Sequence, residues 1–86
     1  MRELEKVLKS AANRKRLAIL SCLKRSGEMN VGDIAAAIKL SFKATSKHLG
    51  VLANASVVES DKRALLVFYR LAPLKQKWLR QLISQL

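Results

Sequence analysis

The chain has 86 residues, half of them hydrophobic and few of them Gly or Pro, which predicts one small globular domain over residues 1–86. The basic residues are spread along the chain, which argues against a disordered basic arm. Seventeen Lys and Arg against six Asp and Glu give a net charge of +11, which predicts a polyanionic partner such as double-stranded DNA. One Cys and one His exclude an intramolecular disulfide and a zinc finger, and the lack of a signal-peptide pattern or long apolar run predicts a cytoplasmic protein with no membrane partner.

Two amphipathic helices are predicted first. Apolar residues recur at helical spacing from Arg2 to Ala12. Asn13 is a typical N-cap for a second helix, which is predicted from about Arg14 to Ser26 with Leu17, Leu20 and Leu23 inward. The three cations that open this helix, at positions 14–16, either meet DNA phosphates or form a solvated face.

A helix-turn-helix unit is predicted next. Residues 28–30 are a connector, and residues 31–38 have the apolar spacing of a short helix. Lys39 and Leu40 make a tight turn, after which Ser41 is a good N-cap for a helix that reaches about Asn54. Two short helices joined in this way are typical of DNA-binding proteins.

The second helix of this unit presents a basic stripe. If Thr45, Leu49 and Leu52 face the core, the opposite face carries Lys43, Ser46, Lys47 and Gly50. Lysines bind guanine acceptors or phosphates, and glycine permits close approach, so we expect this face to enter a major groove. The alternative, an ordinary solvated face, fits less well with its place directly after a helix and a turn.

The end of the chain predicts a β-hairpin and a last helix. Beyond Ala55 the apolar period becomes two, and Lys62 and Arg63 are placed at a charged hairpin tip. They either contact DNA or keep the hairpin edge soluble. A helix is predicted after Pro73, with the apolar face Leu74, Trp78, Leu79, Leu82, Ile83 and Leu86.

The predicted fold is mainly α with a small β-hairpin, a winged helix-turn-helix of four helices, two strands and a fifth helix. A domain this small has a thin core, so the apolar stripes of the two end helices favour burial against a second copy. The predicted homodimer face is Leu4, Val7, Leu8, Trp78, Leu79, Leu82 and Ile83.

Four segments, residues 12–20, 31–35, 46–52 and 67–71, resemble the ArsR/SmtB repressors in order and spacing, most specifically Ser-Lys-His-Leu followed by Val-Leu. The resemblance implies a homodimer through the first and last helices, which represses from a short palindromic operator until an inducer, here unknown, releases it. It places the family's DNA-contacting positions on Phe42, Lys43, Ser46, Lys47 and His48.

The chain departs from this family pattern at several positions. Phe42 stands where a polar residue is usual, and it either contacts a thymine methyl or turns inward. Asn30 and Gly32 occupy the places of paired metal-binding cysteines, and the last helix lacks a His and carboxylate set, so we expect no metal and no cofactor. Cys22 is a core residue or a redox switch, and His48 is a packing or phosphate-contacting residue rather than a ligand.

The sequence therefore predicts a sequence-specific dimeric transcriptional regulator, with repression as its action. The alternative is an architectural, chromatin-like DNA- or RNA-binding protein with the same fold, which the high positive charge favours. No nucleophile has an evident base and no phosphate-binding glycine loop occurs, so we expect no enzymatic activity.

Overall fold

The computed structural model describes residues 2–73 and 77–86, apart from the side chains of residues 2–4, 78 and 79. The described part is mostly helical, with one three-stranded antiparallel sheet. In chain order the elements are α1 (Arg2–Ala11), α2 (Arg14–Ser26), β1 (Glu28–Asn30), α3 (Val31–Ile38), α4 (Phe42–Asn54), β2 (Val58–Arg63), β3 (Leu66–Leu71) and α5 (Lys77–Ser84).

Side-chain caps begin two helices where the sequence predicts them. The Asn13 side chain accepts hydrogen bonds from the backbone N–H groups of Lys15 and Arg16, at 2.9 and 3.2 Å, and so starts α2. Ser41 Oγ accepts from the backbone N–H of Ala44 at 3.1 Å and starts α4. Each cap satisfies backbone donors that the first helical turn leaves without partners.

The segment predicted as a connector, Glu28–Asn30, is instead strand β1. It pairs antiparallel with β3, which also pairs with β2, so that the sheet order is β1-β3-β2. Tyr69 of β3 lies between Met29 and Ser60 in this register. Three residues are too few to show a period of two, so pairing with a distant segment decides this strand.

The core lies between the helices and one face of the sheet. Its fully buried apolar side chains are Ile19, Leu20, Leu23, Ile34, Leu49, Leu52 and Val57. The prediction for Leu17 is wrong, because this side chain is 38% exposed. At 100° per residue the buried stripe of α2 centres on residues 19–23, which turns Leu17 to the opposite side.

Two residues predicted for the dimer face belong to the protomer's own core. Val7 and Ile83 are only 8% and 6% exposed and pack in the main apolar cluster, which corrects their assignment. Leu8 and Leu82, on the same helices, stay 46% and 49% exposed. The predictions for the side chains of Leu4, Trp78 and Leu79, and for Leu74, lie outside the described residues.

Thr45 is a buried polar residue whose hydroxyl is expected to lower the stability of the fold. It is fully buried, and its hydroxyl has no hydrogen-bond partner in the described part of the chain. Because valine has nearly the same shape without the hydroxyl, we expect Thr45→Val to stabilise the fold by about 1 kcal/mol and raise Tm by about 4–8 °C. Thermal unfolding of Thr45→Val and Thr45→Ser checks this, since Ser keeps the hydroxyl and loses the methyl. A lower Tm for Thr45→Val would contradict it.

Candidate nucleic-acid interface

The turn between α3 and α4 is fixed by one left-handed residue and by hydrogen bonds from Leu40 and Lys15. Lys39 takes the left-handed conformation, with φ 57° and ψ 51°, and ends α3. The N–H of Leu40 then donates to the carbonyl of Ala35 at 3.0 Å. Lys15 Nζ on α2 donates to the carbonyl of Ile38 at 2.9 Å. These contacts set α4 at a defined angle to the other helices, as a helix-turn-helix requires.

The basic stripe of α4 faces solvent. Thr45, Leu49 and Leu52 are fully buried, as the helical spacing predicts. On the other side Lys43 and Lys47 are exposed, while Ser46 and Gly50 are half-buried between them. The first turn of α4 carries no acidic residue, so no carboxylate offsets the positive end of the helix dipole. The stripe Lys43, Ser46, Lys47 and Gly50 is hereafter the reading face.

Phe42 lies at the start of the reading face and points outward. Its side chain is 63% exposed, so of the two sequence alternatives the inward one is wrong. An exposed phenyl ring at a helix N-terminus matches the apolar contact that a thymine methyl offers.

His48 lies at the edge of the reading face and is held neutral. Its Nδ1 accepts a hydrogen bond from Arg16 Nε on α2 at 3.3 Å. Burial lowers the pKa of His48, and repulsion from Arg16, Lys47 and Lys15 lowers it further. His48 therefore presents a neutral imidazole at neutral pH, with the proton on Nε2.

The wing is the hairpin of β2 and β3, and its tip is apolar, whereas the sequence predicts a charged tip. The strands β2 and β3 are joined by Ala64 and Leu65, and Leu65 is 92% exposed. Lys62 and Arg63 are the last residues of β2, and as neighbours in a strand they point to opposite faces of the sheet. Lys62 shares its face with Val58, which is buried against the helices.

Arg63 is bound within the protein by carboxylates. It forms a two-pronged contact with Glu28, both N···O distances being 2.7 Å, and a further contact with Asp61 at 3.0 Å. Its guanidinium also lies 4.7 Å from the centre of the Phe68 ring. Of the two sequence alternatives for Arg63, these ion pairs favour a role within the hairpin over a DNA contact.

Arg63 belongs to a larger ionic network on the outer face of the sheet. Arg70 on β3 contacts Glu59 and Asp61, both at 2.9 Å, and Glu28 at 3.4 Å. The network of three carboxylates and two guanidiniums has a net negative charge, and it includes half of the six acids in the chain. Alternation along β2 places Glu59, Asp61 and Arg63 on one face of the sheet. This two-residue spacing of charges is present in the sequence, but the hairpin prediction does not use it. Lys62 stands on the opposite face.

The network predicts a pH dependence for the wing. The hydrogen bond from Arg63 holds the pKa of Glu28 below its usual range, and hydrogen bonds from Arg63 and Arg70 do the same for Asp61. Depressed carboxyl pKa values contribute stability above about pH 4, which is lost as the pH falls through the lowered values. We expect carboxyl NMR titrations to give low midpoints for both acids, and Arg63→Ala to raise them. Midpoints unchanged in Arg63→Ala would contradict the network.

The three cations that open α2 have different roles. Lys15 Nζ donates to the carbonyl of Ile38 at the end of α3. Arg16 Nη1 donates to the carbonyls of Lys9 and Ser10 at the end of α1, at 3.3 and 3.0 Å. Only Arg14 is exposed without a hydrogen bond or ion pair within the described residues, so it alone of the three keeps the predicted option of a phosphate contact. Residue type does not reveal this difference, since all three precede the same helical turn.

Cys22 and Asn30, which stand where a thiol or metal switch would lie, make structural contacts instead. Cys22 is 5% exposed in the core, and Arg25 Nη2 donates to its sulfur at 3.7 Å. Asn30 caps α3 by accepting the backbone N–H of Asp33 at 2.9 Å. Among the side chains that the structure describes, no group of three His, Cys, Asp or Glu could hold a metal. None of the described helices is long and apolar enough to span a membrane.

Sequence comparison relates the chain to bacterial regulators. The family model described as bacterial regulatory protein, arsR family, matches residues 13–60. The transcriptional activator HlyU of Vibrio cholerae is 36% identical over 80 residues, which are 93% of this chain and 73% of that protein. The biofilm growth-associated repressor of Agrobacterium fabrum is 38% identical over 66 residues, 77% of this chain and 56% of that protein.

Solved structures share the fold over nearly the whole chain. HlyU from Vibrio cholerae superposes with a TM-score of 0.83 at 32% identity, covering 98% of this chain and 87% of that one. The homodimeric winged helix-turn-helix DNA-binding domain of a Mycobacterium bovis protein gives a TM-score of 0.84 at 27% identity, over 98% of this chain and 74% of that one. The predicted winged helix is thus confirmed, with β1 as a third strand.

Proposed function

Because the chain belongs to the ArsR family of bacterial regulatory proteins and is a DNA-binding transcription regulator, we propose that it acts as a homodimeric repressor with one reading face in each of two major grooves. The observation that carries this proposal is the exposed, basic reading face on a helix whose position is set by the capped turn after α3. A helix of this kind lies in the major groove with its N-terminal residues on base edges. Lys43, Ser46 and Lys47 are then the base and phosphate contacts, with Phe42 and His48 beside them.

The dimer is proposed through α1 and α5. Leu8 and Leu82 expose apolar side chains on these two helices, and the similar Mycobacterium bovis domain is homodimeric. Val7 and Ile83 support these helices from the core side. Two-fold symmetry would then place the two copies of α4 about 34–36 Å apart, one turn of DNA.

Lys62 is the wing contact that this arrangement supports. It is exposed, and no hydrogen bond or ion pair in the described part of the chain occupies it. Its side of the sheet is the one that packs on the helices, whereas the acidic network faces the other way. A phosphate contact by Lys62 adds affinity without adding sequence preference.

Repression is the proposed action. The Agrobacterium relative is named a repressor, whereas the Vibrio relative is named an activator, so the family admits both outcomes. A dimer that covers a short palindrome blocks a promoter that overlaps it without any further surface.

Selection of bound duplexes from random DNA tests the function. We expect enrichment of a palindrome whose half-sites lie about 10–10.5 bp apart, or a multiple of this spacing. The architectural alternative, which the charge of +11 favours, predicts strong binding without enrichment. Recovery of random sequences at an affinity equal to that of the starting pool would reject the sequence-specific proposal.

A further inference from the structure

An open surface cavity of about 260 Å³ lies where α1, the start of α2 and the second half of α4 meet. It is lined by Lys6, Lys9, Ser10, Arg16, Val51 and Asn54. Val51 and Asn54 follow Lys47 by one and two helical turns, about 6 and 10 Å further along the axis of α4. This i, i+4, i+7 spacing places the cavity on the same side of α4 as the reading face, beyond its C-terminal end.

The lining is suited to a small organic anion. Of the six lining side chains that the structure describes, three are cationic and none is acidic, while Asn54 offers an amide and Val51 an apolar wall. The carboxylate of Glu5 pairs with Lys9 at 3.3 Å. Because both side chains are mostly exposed, this ion pair is weak, and a bound anion displaces Glu5 from Lys9 with little loss of free energy. The volume is slightly below the about 300–1,000 Å³ of pockets for drug-sized ligands, which fits a smaller metabolite.

Arg16 has donors left for such a ligand. Its Nη1 is used by the two carbonyls at the end of α1 and its Nε by His48 Nδ1. Its Nη2 has no hydrogen-bond partner among the described residues. A guanidinium with free N–H groups beside two lysines is a strong binder of carboxylate or phosphate oxygens. The same guanidinium thus touches the cavity, α1 and the edge of the reading face.

We propose that this cavity is an effector site for a small organic anion, a carboxylate or a phosphate monoester, and that Arg16 transmits its occupancy to His48 on α4. An anion at Nη2 draws the guanidinium toward the cavity and weakens its bond to His48. Its negative charge also offsets the repulsion that Arg16 exerts on the imidazolium form. The effector role rests on the proposed DNA-binding function, whereas anion binding and its effect on His48 do not.

The first experiment measures binding by amide NMR titration of the full chain with benzoate, phenyl phosphate, inorganic phosphate and neutral benzamide. We expect saturable shifts at the lining residues with benzoate or phenyl phosphate, and none with benzamide. Lys6→Gln is expected to weaken binding about tenfold, the effect of one charge-assisted hydrogen bond. Lys77→Gln, which removes the same charge from α5, is the matched control. Equal binding of benzamide, or no effect of Lys6→Gln, would overturn the site.

The second experiment measures the coupling through His48, the one histidine of the chain. The saturating anion is expected to raise the pKa of His48 toward its ordinary value, in the wild type and in Lys77→Gln. The groups that act on His48 are Arg16 and Lys15 from α2 and Lys47 from α4. An unchanged His48 titration at saturation would reject the transmission.

The third experiment asks whether the anion is an effector. Affinity for a selected duplex is measured against anion concentration at constant ionic strength. We expect the anion to change this affinity in the wild type, and Lys6→Gln to need an about tenfold higher anion concentration for the same change. If no duplex is selected but the anion still binds and shifts His48, the proposed function fails and the anion site stands. If the duplex itself shifts the lining residues and excludes the anion, the cavity is a DNA-backbone contact and the effector proposal is wrong.

Discussion

Replacement of Leu82 by glutamate is expected to convert the proposed homodimer into monomers and to weaken binding to a selected duplex by at least about a hundredfold. Leu82 is 49% exposed on α5, so the protomer core does not depend on it. A carboxylate in an apolar interface loses hydration without gaining a partner. A monomer holds one reading face instead of two, and linked binding sites gain about 10²- to 10⁴-fold from acting together.

Gln81→Glu is the matched control, because it adds the same charge to the adjacent exposed position of α5. Sedimentation equilibrium is expected to show a dimer for Gln81→Glu and a monomer for Leu82→Glu, with the same helix content by circular dichroism. A dimer unchanged in Leu82→Glu would show that α5 does not form the interface.

Lys47→Ala is expected to weaken binding to the selected duplex about tenfold while changing binding to random DNA much less. Lys47 is exposed in the middle of the reading face, one turn after Lys43, where a base-edge contact is worth about 1–3 kcal/mol. Competition of both duplex types, measured at several salt concentrations, checks this. Equal losses on both duplexes would place Lys47 on phosphate and favour the architectural alternative.

Lys62→Ala and Arg63→Ala in the wing are the comparison variants for Lys47→Ala. Lys62→Ala is expected to weaken both duplex types alike and to lower the slope of log affinity against log salt by about one. Arg63→Ala is expected to leave that slope unchanged, since Glu28 and Asp61 already neutralise this guanidinium. A fall in slope for Arg63→Ala would show that DNA draws Arg63 out of the acidic network.

The helices follow from the sequence because their signals are local. Asn13 and Ser41 cap helices within three residues of themselves, and the spacing of Thr45, Leu49 and Leu52 is enough to turn the reading face outward. Each of these depends on contacts between near neighbours, which a single sequence displays.

The sheet and the ionic contacts depend on distant residues. Strand β1 exists because β3, about forty residues later, supplies its hydrogen-bond partners. The same pairing brings β1 into the sheet, where Glu28 contacts Arg63. Identical residue types, such as the three cations that open α2, therefore have different roles that the sequence cannot separate.

By itself the sequence determined the helix-turn-helix and the reading face, from residues within a few turns of one another. It also determined the positive charge, from composition, and the family resemblance, from four segments in order. Only the tertiary structure decided that Arg63 pairs with carboxylates while Lys62 has no partner among the described residues, and that Val7 and Ile83 belong to the core. It also decided that Arg16 joins a cavity to His48. Long-range packing decides which charges lack partners and which apolar groups are exposed, because the contacts of a side chain come from residues distant in the sequence.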